Sequence, residues 1–388
     1  MISCNSFSQE LSSNFFKAYA YFSKKNFDSA IFYFDKCITE NQPKVSFYLG
    51  KAYYFKKNFN KAIDFFKNAI DNKNYEAYLW IARSYSGLNN KSLTLENLRL
   101  YLLNEKYKLP SYKIKRDTAF RNLNKSKEWY DFWQLNWYSN EELICEEVEQ
   151  LLNKNMISYA QNILDTLSYN KNKEEIILYY KAITNLYNNN LPSALSFINH
   201  TLSKNKSRKE YLELKVNILF SLGYYKESID LINQILKIEP ENFELYLKRS
   251  FAYKTIGQHD LSLKDLQFYY NFFPENINVA FELAQSYNKN LKYIESLKIL
   301  NNLLKNDPSK YEYYLERGKA YYHSNMLQQA ENDFSMVLDL NPQIGEAFYY
   351  LGLINIKKNN KKNACELFNK AINKGFTKAV EMLIDFCQ

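Results

Sequence analysis

Pro240, Pro274, Pro308 and Pro342 recur every 34 residues, and a chain with a fixed internal period has to be read by its repeat before domains are drawn. A second column keeps the same period through Ala160, Ala194, Ser228, Ser262, Ser296, Ala330 and Ala364. Twelve residues before each of these stands Val148, Ala182, Val216, Ser250, Ala284, Gly318 or Gly352, which is usually small. Four residues after the Ala/Ser column come Leu164, Ile198, Ile232, Leu266, Leu300, Phe334 and Phe368. Tyr253, Tyr287 and Tyr321 add an aromatic column in three of the repeats.

One unit shows the physics. In residues 311–340, Leu315, Gly318, Tyr321 and Tyr322 recur at helical spacing, Ser324-Asn325-Met326 makes a turn, and Ala330, Phe334, Val337 and Leu338 form a second stripe. Asn341-Pro342 ends the second helix, because proline disfavours helical geometry in the residue before it. Small residues at Gly318 and Ala330 let the two backbones approach, and Tyr321 and Phe334 fill the space between units. A lone hairpin of this kind cannot bury its apolar face, so units must stack.

The period, the small columns, the aromatics and the terminal proline together resemble the tetratricopeptide repeat family. The resemblance implies an all-α fold: an α-solenoid, a right-handed superhelix of helix-turn-helix hairpins with a C-terminal capping helix. It also implies a non-catalytic scaffold that binds a peptide or protein in its concave groove. The pentatricopeptide RNA binders are a near relative, but their period of 35 does not fit spacings of 34.

The organisation expected is a segment at 1–10, a first array at 11–105, an irregular joint at 106–140, a second array at 141–376 and a capping helix at 377–388. The first array holds Ala18, Tyr21, Ala30 and Phe34 in one unit, and Gly50, Tyr53, Ala62 and Phe66 in the next. Its third unit is degraded, with Thr94 where a small residue is expected. The joint carries Trp129, Trp133 and Trp137 at one-face helical spacing, which suits a plug between arrays. Gly375 should cap the last repeat, and Ala379, Leu383 and Phe386 of the final helix should face the array.

With only 8 Gly and 7 Pro, a sandwich or barrel with a turn every ten residues is excluded, as is a Gly-rich phosphate loop. No GxxxxGK[ST], GxGxxG, GxSxG or HExxH occurs. Glu210, Glu244, Glu312 and Glu346 align at repeat spacing, but they open first helices, where acids favour the helix dipole. His200, His259 and His323 are scattered and no CxxC pair exists, so neither a metal site nor a cofactor is expected, and the chain reads as a non-enzyme.

The net charge of +9 is unevenly spread. From Arg99 to Lys127 the net is +7, and from Glu128 to Gln150 it is −7. The blocks read as complementary solvated faces, with an acidic partner or nucleic acid as competing readings. No apolar run is long enough to span a membrane.

In this family the first helices line the groove. The candidates on their exposed stripes are Phe47, Lys51, Tyr54, Phe220, Phe251, Phe281, Gln285, Lys319, Tyr322 and Tyr349, with Phe15 and Tyr19 in the first unit. Some of these aromatics could instead pack sideways on the next repeat. A peptide-sensing regulatory module is the alternative reading, and a basic nucleic-acid-binding repeat a weaker one. Chaperone-binding members grip a C-terminal carboxylate with Lys, Asn and Arg on successive first helices. The matching places here hold Phe15, Tyr19, Tyr48, Glu76 and Trp80, or Glu213, Asn217, Lys248, Asn278 and Glu282, and only Asn217 conforms.

The start, Met1-Ile2-Ser3-Cys4, resembles the tail of an export signal, yet no basic or apolar region precedes it. As given, the chain is expected to be cytoplasmic. An upstream signal would make it exported, periplasmic or membrane-anchored, with a lipid anchor at Cys4. Cys365 opens the last repeat's second helix and Cys387 ends the capping helix. Antiparallel packing could bring the two thiols to bonding distance, and such a bond persists in an oxidising compartment.

Overall fold

A computed structural model describes residues 13–38, 42–71, 73–104, 108–167 and 174–387. The 1–10 segment with Cys4 lies outside them. Every regular element among the described residues is helical. The chain divides into two compact units, Met1–Asn242 and Phe243–Gln388, so the division falls inside the run of seven repeats rather than at the Trp-rich joint.

The first unit opens with three hairpins: α1 (Ser13–Ser23) with α2 (Phe27–Asp35), α3 (Gln42–Phe55) with α4 (Phe59–Asp71), and α5 (Ala77–Gly87) with α6 (Lys91–Leu102). The joint holds α7 (Ser111–Lys115), a 3-10 turn at Thr118–Phe120 and α8 (Lys127–Trp133). Three further hairpins follow: α9 (Asn140–Asn153) with α10 (Ile157–Thr166), α11 (Glu174–Tyr187) with α12 (Leu191–Lys204), and α13 (Lys209–Ser221) with α14 (Tyr225–Ile238). The second unit stacks α15 (Phe243–Thr255) with α16 (His259–Phe272), α17 (Ile277–Lys289) with α18 (Tyr293–Asn306), α19 (Tyr311–His323) with α20 (Leu327–Leu340), and α21 (Gly345–Lys357) with α22 (Lys361–Asn373). The terminal helix α23 (Ala379–Cys387) follows.

The three small and aliphatic columns are the hairpin cores. Ala160, Ala194, Ser228, Ser296, Ala330 and Ala364 are fully buried, as are Leu164, Ile198, Ile232, Leu300, Phe334 and Phe368. Where the column holds serine, its hydroxyl is satisfied inside the hairpin: Ser296 Oγ donates to the Ala284 carbonyl at 2.9 Å, and the Ser250 and Ser262 hydroxyls meet at 2.9 Å. In the degraded third repeat, Thr94 is buried and donates to the Asn90 carbonyl at 2.7 Å, so α6 forms despite the larger side chain.

The glycines of the crossing column have a specific neighbour. A Cβ on Gly50, Gly318 or Gly352 would stand 2.6, 2.8 or 2.5 Å from the ring of Phe66, Phe334 or Phe368. Each of these phenylalanines lies 16 residues after its glycine. Where the crossing residue is Val148, Ala182, Val216, Ser250 or Ala284, the facing residue is a smaller Leu or Ile. In these three units the glycine makes room for an aromatic ring, although Ala18 faces Phe34 at the same spacing in the first hairpin.

A further column emerges only from the backbone. Asn155, Asn189, Gly223, Gly257, Leu291, Asn325 and Asn359, at 34-residue spacing, all have positive φ. They turn each first helix into its second, and Asn and Gly tolerate that left-handed geometry best. Leu291 is the exception, with φ of 58° and a side chain 72% exposed.

The joint packs onto the third hairpin. Trp129 and Phe132 are buried with Leu98, Tyr101, Ile114 and Phe120. Helix α8 ends at Trp133, so Trp137 lies beyond it and the three tryptophans do not share one helical face; Trp137 Nε1 instead donates to the Phe132 carbonyl at 2.8 Å. The two charge blocks face each other here: Lys108 pairs with Glu142 at 3.0 Å and Lys113 with Glu149 at 2.7 Å. Buried Glu146 accepts from the Ser111 backbone and from its hydroxyl at 2.6 Å, which fixes α7 against α9.

At the end of the second unit, Gly375 has φ of 83° and Phe376 N–H donates to the Ala371 carbonyl, closing α22. Ala379 of α23 is buried and Leu383 half-buried, but Phe386 turns outward, 41% exposed. The register of α23 therefore differs by part of a turn from the apolar spacing. Cys365 and Cys387 are bonded, with Cα atoms 5.8 Å apart, so the disulfide ties α23 to the start of α22.

Candidate functional site

The groove candidates separate into buried and accessible sets. In the first unit Phe15 is fully buried, and Phe47, 7% exposed, packs against Phe66; both are core rather than anchors. They face inward because their helices bury two stripes, one against the partner helix and one against the neighbouring hairpin. Lys51 stays half-buried, its ammonium 4.9 Å from the centres of the Phe47 and Trp80 rings. Burial pulls its pKa down, partly offset by Glu76. Tyr54 packs edge-on against Trp80, and Phe220 packs against Tyr225.

The second unit holds a more open site. A cavity of about 290 Å³ is lined from α15 and α16 by Lys254 and His259, from α17 by Glu282, Gln285, Asn288 and Lys289, from α19 by Glu316, Lys319 and His323, and from α21 by Tyr350. It therefore gathers two of the sequence candidates, Gln285 and Lys319. Phe251, one turn before Lys254 on α15, is 48% exposed. Phe281 leans on Tyr313 at 5.0 Å, Tyr322 meets Tyr350 at 5.4 Å, and Tyr349 packs on Phe376 at 5.1 Å, so these three rings also bridge neighbouring helices.

The cavity's polar wall is cross-braced. Lys254 pairs with Glu282 at 2.9 Å, while Lys319 pairs with Glu316 at 3.0 Å and Glu346 at 2.8 Å. Asn288 Nδ2 donates to the Glu316 carbonyl and carboxylate at 2.9 and 3.0 Å. All but the Lys319–Glu316 pair, which lies within α19, link one first helix to the next, so the wall is held in place before any ligand arrives. The sequence reading missed Asn288, Lys289 and His323 as a set. They sit in the last turn of their first helices.

Two other ion pairs repeat at a two-repeat interval. Arg249 reaches Asp265 at 2.6 Å and Arg317 reaches Asp333 at 2.7 Å, each bidentate and 16 residues apart. Burial pushes both aspartates up while the guanidinium beside each draws it back. Among the described residues no cluster of His, Cys, Asp and Glu could hold a metal ion, and no helix is long and apolar enough to cross a membrane.

Known proteins agree with this repeat geometry. Tetratricopeptide repeat models match residues 11–43, 45–74 and 200–242, and a second model of the same repeat matches 346–374. The chain carries tetratricopeptide repeats. Human tetratricopeptide repeat protein 13 is 28% identical over 160 residues, 40% of this chain and 18% of that protein. ER membrane protein complex subunit 2-A of Xenopus laevis is 24% identical over 145 residues, 36% of this chain and 49% of that one. The tetratricopeptide chain thus spans at most about half the length of these curated relatives. Among solved structures, a tetratricopeptide repeat protein from Parabacteroides merdae is 20% identical, covering 62% of this chain and 94% of its own, with a TM-score of 0.41. YrrB, described as a tetratricopeptide repeat protein with an unusual peptide-binding site, is 19% identical, covering 46% of this chain and 91% of its own, with a TM-score of 0.39.

Proposed function

We propose that the chain is a non-catalytic scaffold that holds a peptide from a protein partner in the groove of its second unit. The observation that carries this reading is the cross-braced cavity of about 290 Å³, with Gln285 and Lys319 in its wall and Phe251 exposed one turn away. A preformed polar wall beside an exposed ring suits a bound extended segment: the ring anchors a side chain, and the amides and lysines meet its backbone. The nucleic-acid reading is weakened, since Lys108 and Lys113 of the basic block are already paired to glutamates.

The test is selection of binders from a displayed random peptide library on the full chain. Phe251→Ala with Gln285→Ala should abolish capture of the selected peptides while helicity by circular dichroism is unchanged. Peptides that bind the double variant as well as the parent would overturn the reading.

We also propose that the protein works in an oxidising compartment. The Cys365–Cys387 disulfide supports this, because such bonds are lost to cytosolic reductants. Protein denatured without reductant, taken from its native source, should bind two fewer maleimides than after reduction; equal numbers would place it in a reducing compartment.

A further inference from the structure

The carboxylates of the second-unit cavity are all engaged. Glu282 is held by Lys254, Glu316 by Lys319 and Asn288, and Glu346 by Lys319. Lys254 and Lys319 are the cations so engaged, but two others nearby are not. Lys289 lines the cavity, is exposed, and makes no ion pair among the described residues. Lys357 is likewise exposed and meets only a ring, its ammonium 4.3 Å from the centre of Tyr322. Between them stands His323, a cavity-lining imidazole stacked on Tyr293 at 5.5 Å and edge-on to Tyr322 at 5.3 Å. Lys289, His323 and Lys357 stand 34 residues apart at the ends of α17, α19 and α21, so two ammonium groups without an ion pair flank a titratable donor in a row that starts in the cavity wall and ends beside it.

We propose that this row, Lys289, His323 and Lys357, binds an anionic group of the partner, a carboxylate or a phosphoryl group. The proposal rests on the groove reading above and names the chemistry of its occupant. It uses the last turns of α17, α19 and α21, whereas the positions at which carboxylate-gripping relatives carry their cations hold Lys248, Asn278 and Glu282 here. Charge decides the sign. A cationic group would meet Lys289 and Lys357 with no unengaged carboxylate to receive it; an anion gains two ammonium contacts and a hydrogen bond from the imidazole.

The groups facing His323 are Tyr293 of α18, Lys319 and Tyr322 of α19, and Tyr350 and Lys357 of α21, with Lys289 at the cavity wall. Burial, then Lys357 and Lys319, hold the imidazole below its usual value, so it is neutral at pH 7. An anion seated beside it favours the protonated form. Binding therefore tightens as pH falls through the titration of His323, and the bound anion raises that titration midpoint.

The experiment titrates succinate and inorganic phosphate separately into the full chain and follows the imidazole resonances of its three histidines across pH, against sodium chloride at matched ionic strength. Either anion should shift the His323 signal and raise its midpoint, leaving His200 unmoved. A response to succinate alone assigns a carboxylate occupant, and to phosphate alone a phosphoryl one. Lys289→Gln with Lys357→Gln should weaken the response roughly tenfold with circular dichroism unchanged. No shift beyond the chloride control, or an undiminished response in the double variant, overturns the proposal. Library-selected peptides that depend on Phe251 yet bind the Lys289→Gln/Lys357→Gln variant normally would overturn it while leaving the groove reading intact.

Discussion

Single residues in this chain are chosen against one identifiable neighbour. Gly352 is the clearest case, because a Cβ there would stand 2.5 Å from the Phe368 ring. Gly352→Leu should cost roughly 1–3 kcal/mol by overpacking. Since each hairpin leans on its neighbours, hydrogen exchange should quicken in α21 and α22 before the rest of the second unit. Adding Phe368→Leu should restore part of the loss, as Leu faces the crossing in repeats with larger residues there. A double-mutant cycle showing simple additivity would mean the glycine serves something other than the ring. Leu291 is the opposite case. It stands in the left-handed conformation with its side chain in solvent, so nothing is lost by replacing it. Leu291→Gly should raise stability by about 1 kcal/mol, read as a higher urea midpoint at unchanged slope.

At the scale of elements, the hairpins were legible because their signal is repeated: seven instances of a small residue facing an aliphatic or aromatic one overdetermine the register. The turns were not, because Asn and Gly at positive φ alternate in one column and Lys or Leu enter it elsewhere, so residue identity alone hides the shared geometry. The groove was legible only in part. Helical spacing gives a face of each first helix, but Phe15 and Phe47 stand three residues before the crossing residues Ala18 and Gly50 and are buried, whereas Phe251 directly follows Ser250 and is exposed. What separates anchor from core is how each turn of the first helix packs on the neighbouring hairpin, which spacing along one helix does not encode. The terminal helix carries its own prediction. With the Cys365–Cys387 bond gone, α23 keeps buried Ala379 and half-buried Leu383 but leaves Val380, Ile384 and Phe386 in solvent. Cys387→Ser should therefore destabilise the end of the second unit by roughly 3 kcal/mol in the chain-entropy account, with α23 amides losing protection first. Unchanged protection of α23 would show that packing alone holds it.

At the scale of the molecule, the first unit departs from the one-dimensional logic of stacked repeats. Ordinarily each repeat touches only its neighbours and stability is a sum of local terms. Here Glu241, 3% exposed and just past α14, accepts from Lys44 of α3 at 2.7 Å and from the Tyr48 hydroxyl at 3.2 Å. The partners are separated by 197 and 193 residues, so the unit curls until its sixth hairpin meets its second. The buried carboxylate leaves its mark on the rings nearby: burial, then Glu241, push the Tyr48 hydroxyl well above its ordinary value. A contact that closes so long a loop couples hairpins that would otherwise unfold independently. Glu241→Ala removes an acceptor from two half-buried donors and should cost roughly 1 kcal/mol. The informative readout is where the loss appears. Hydrogen exchange should quicken in α3 and its neighbours α1 and α2, far along the chain from the substitution, while α17 to α22 keep their protection. If the change stays confined to α13 and α14, the closure contributes nothing to cooperativity and the first unit behaves as an ordinary stack.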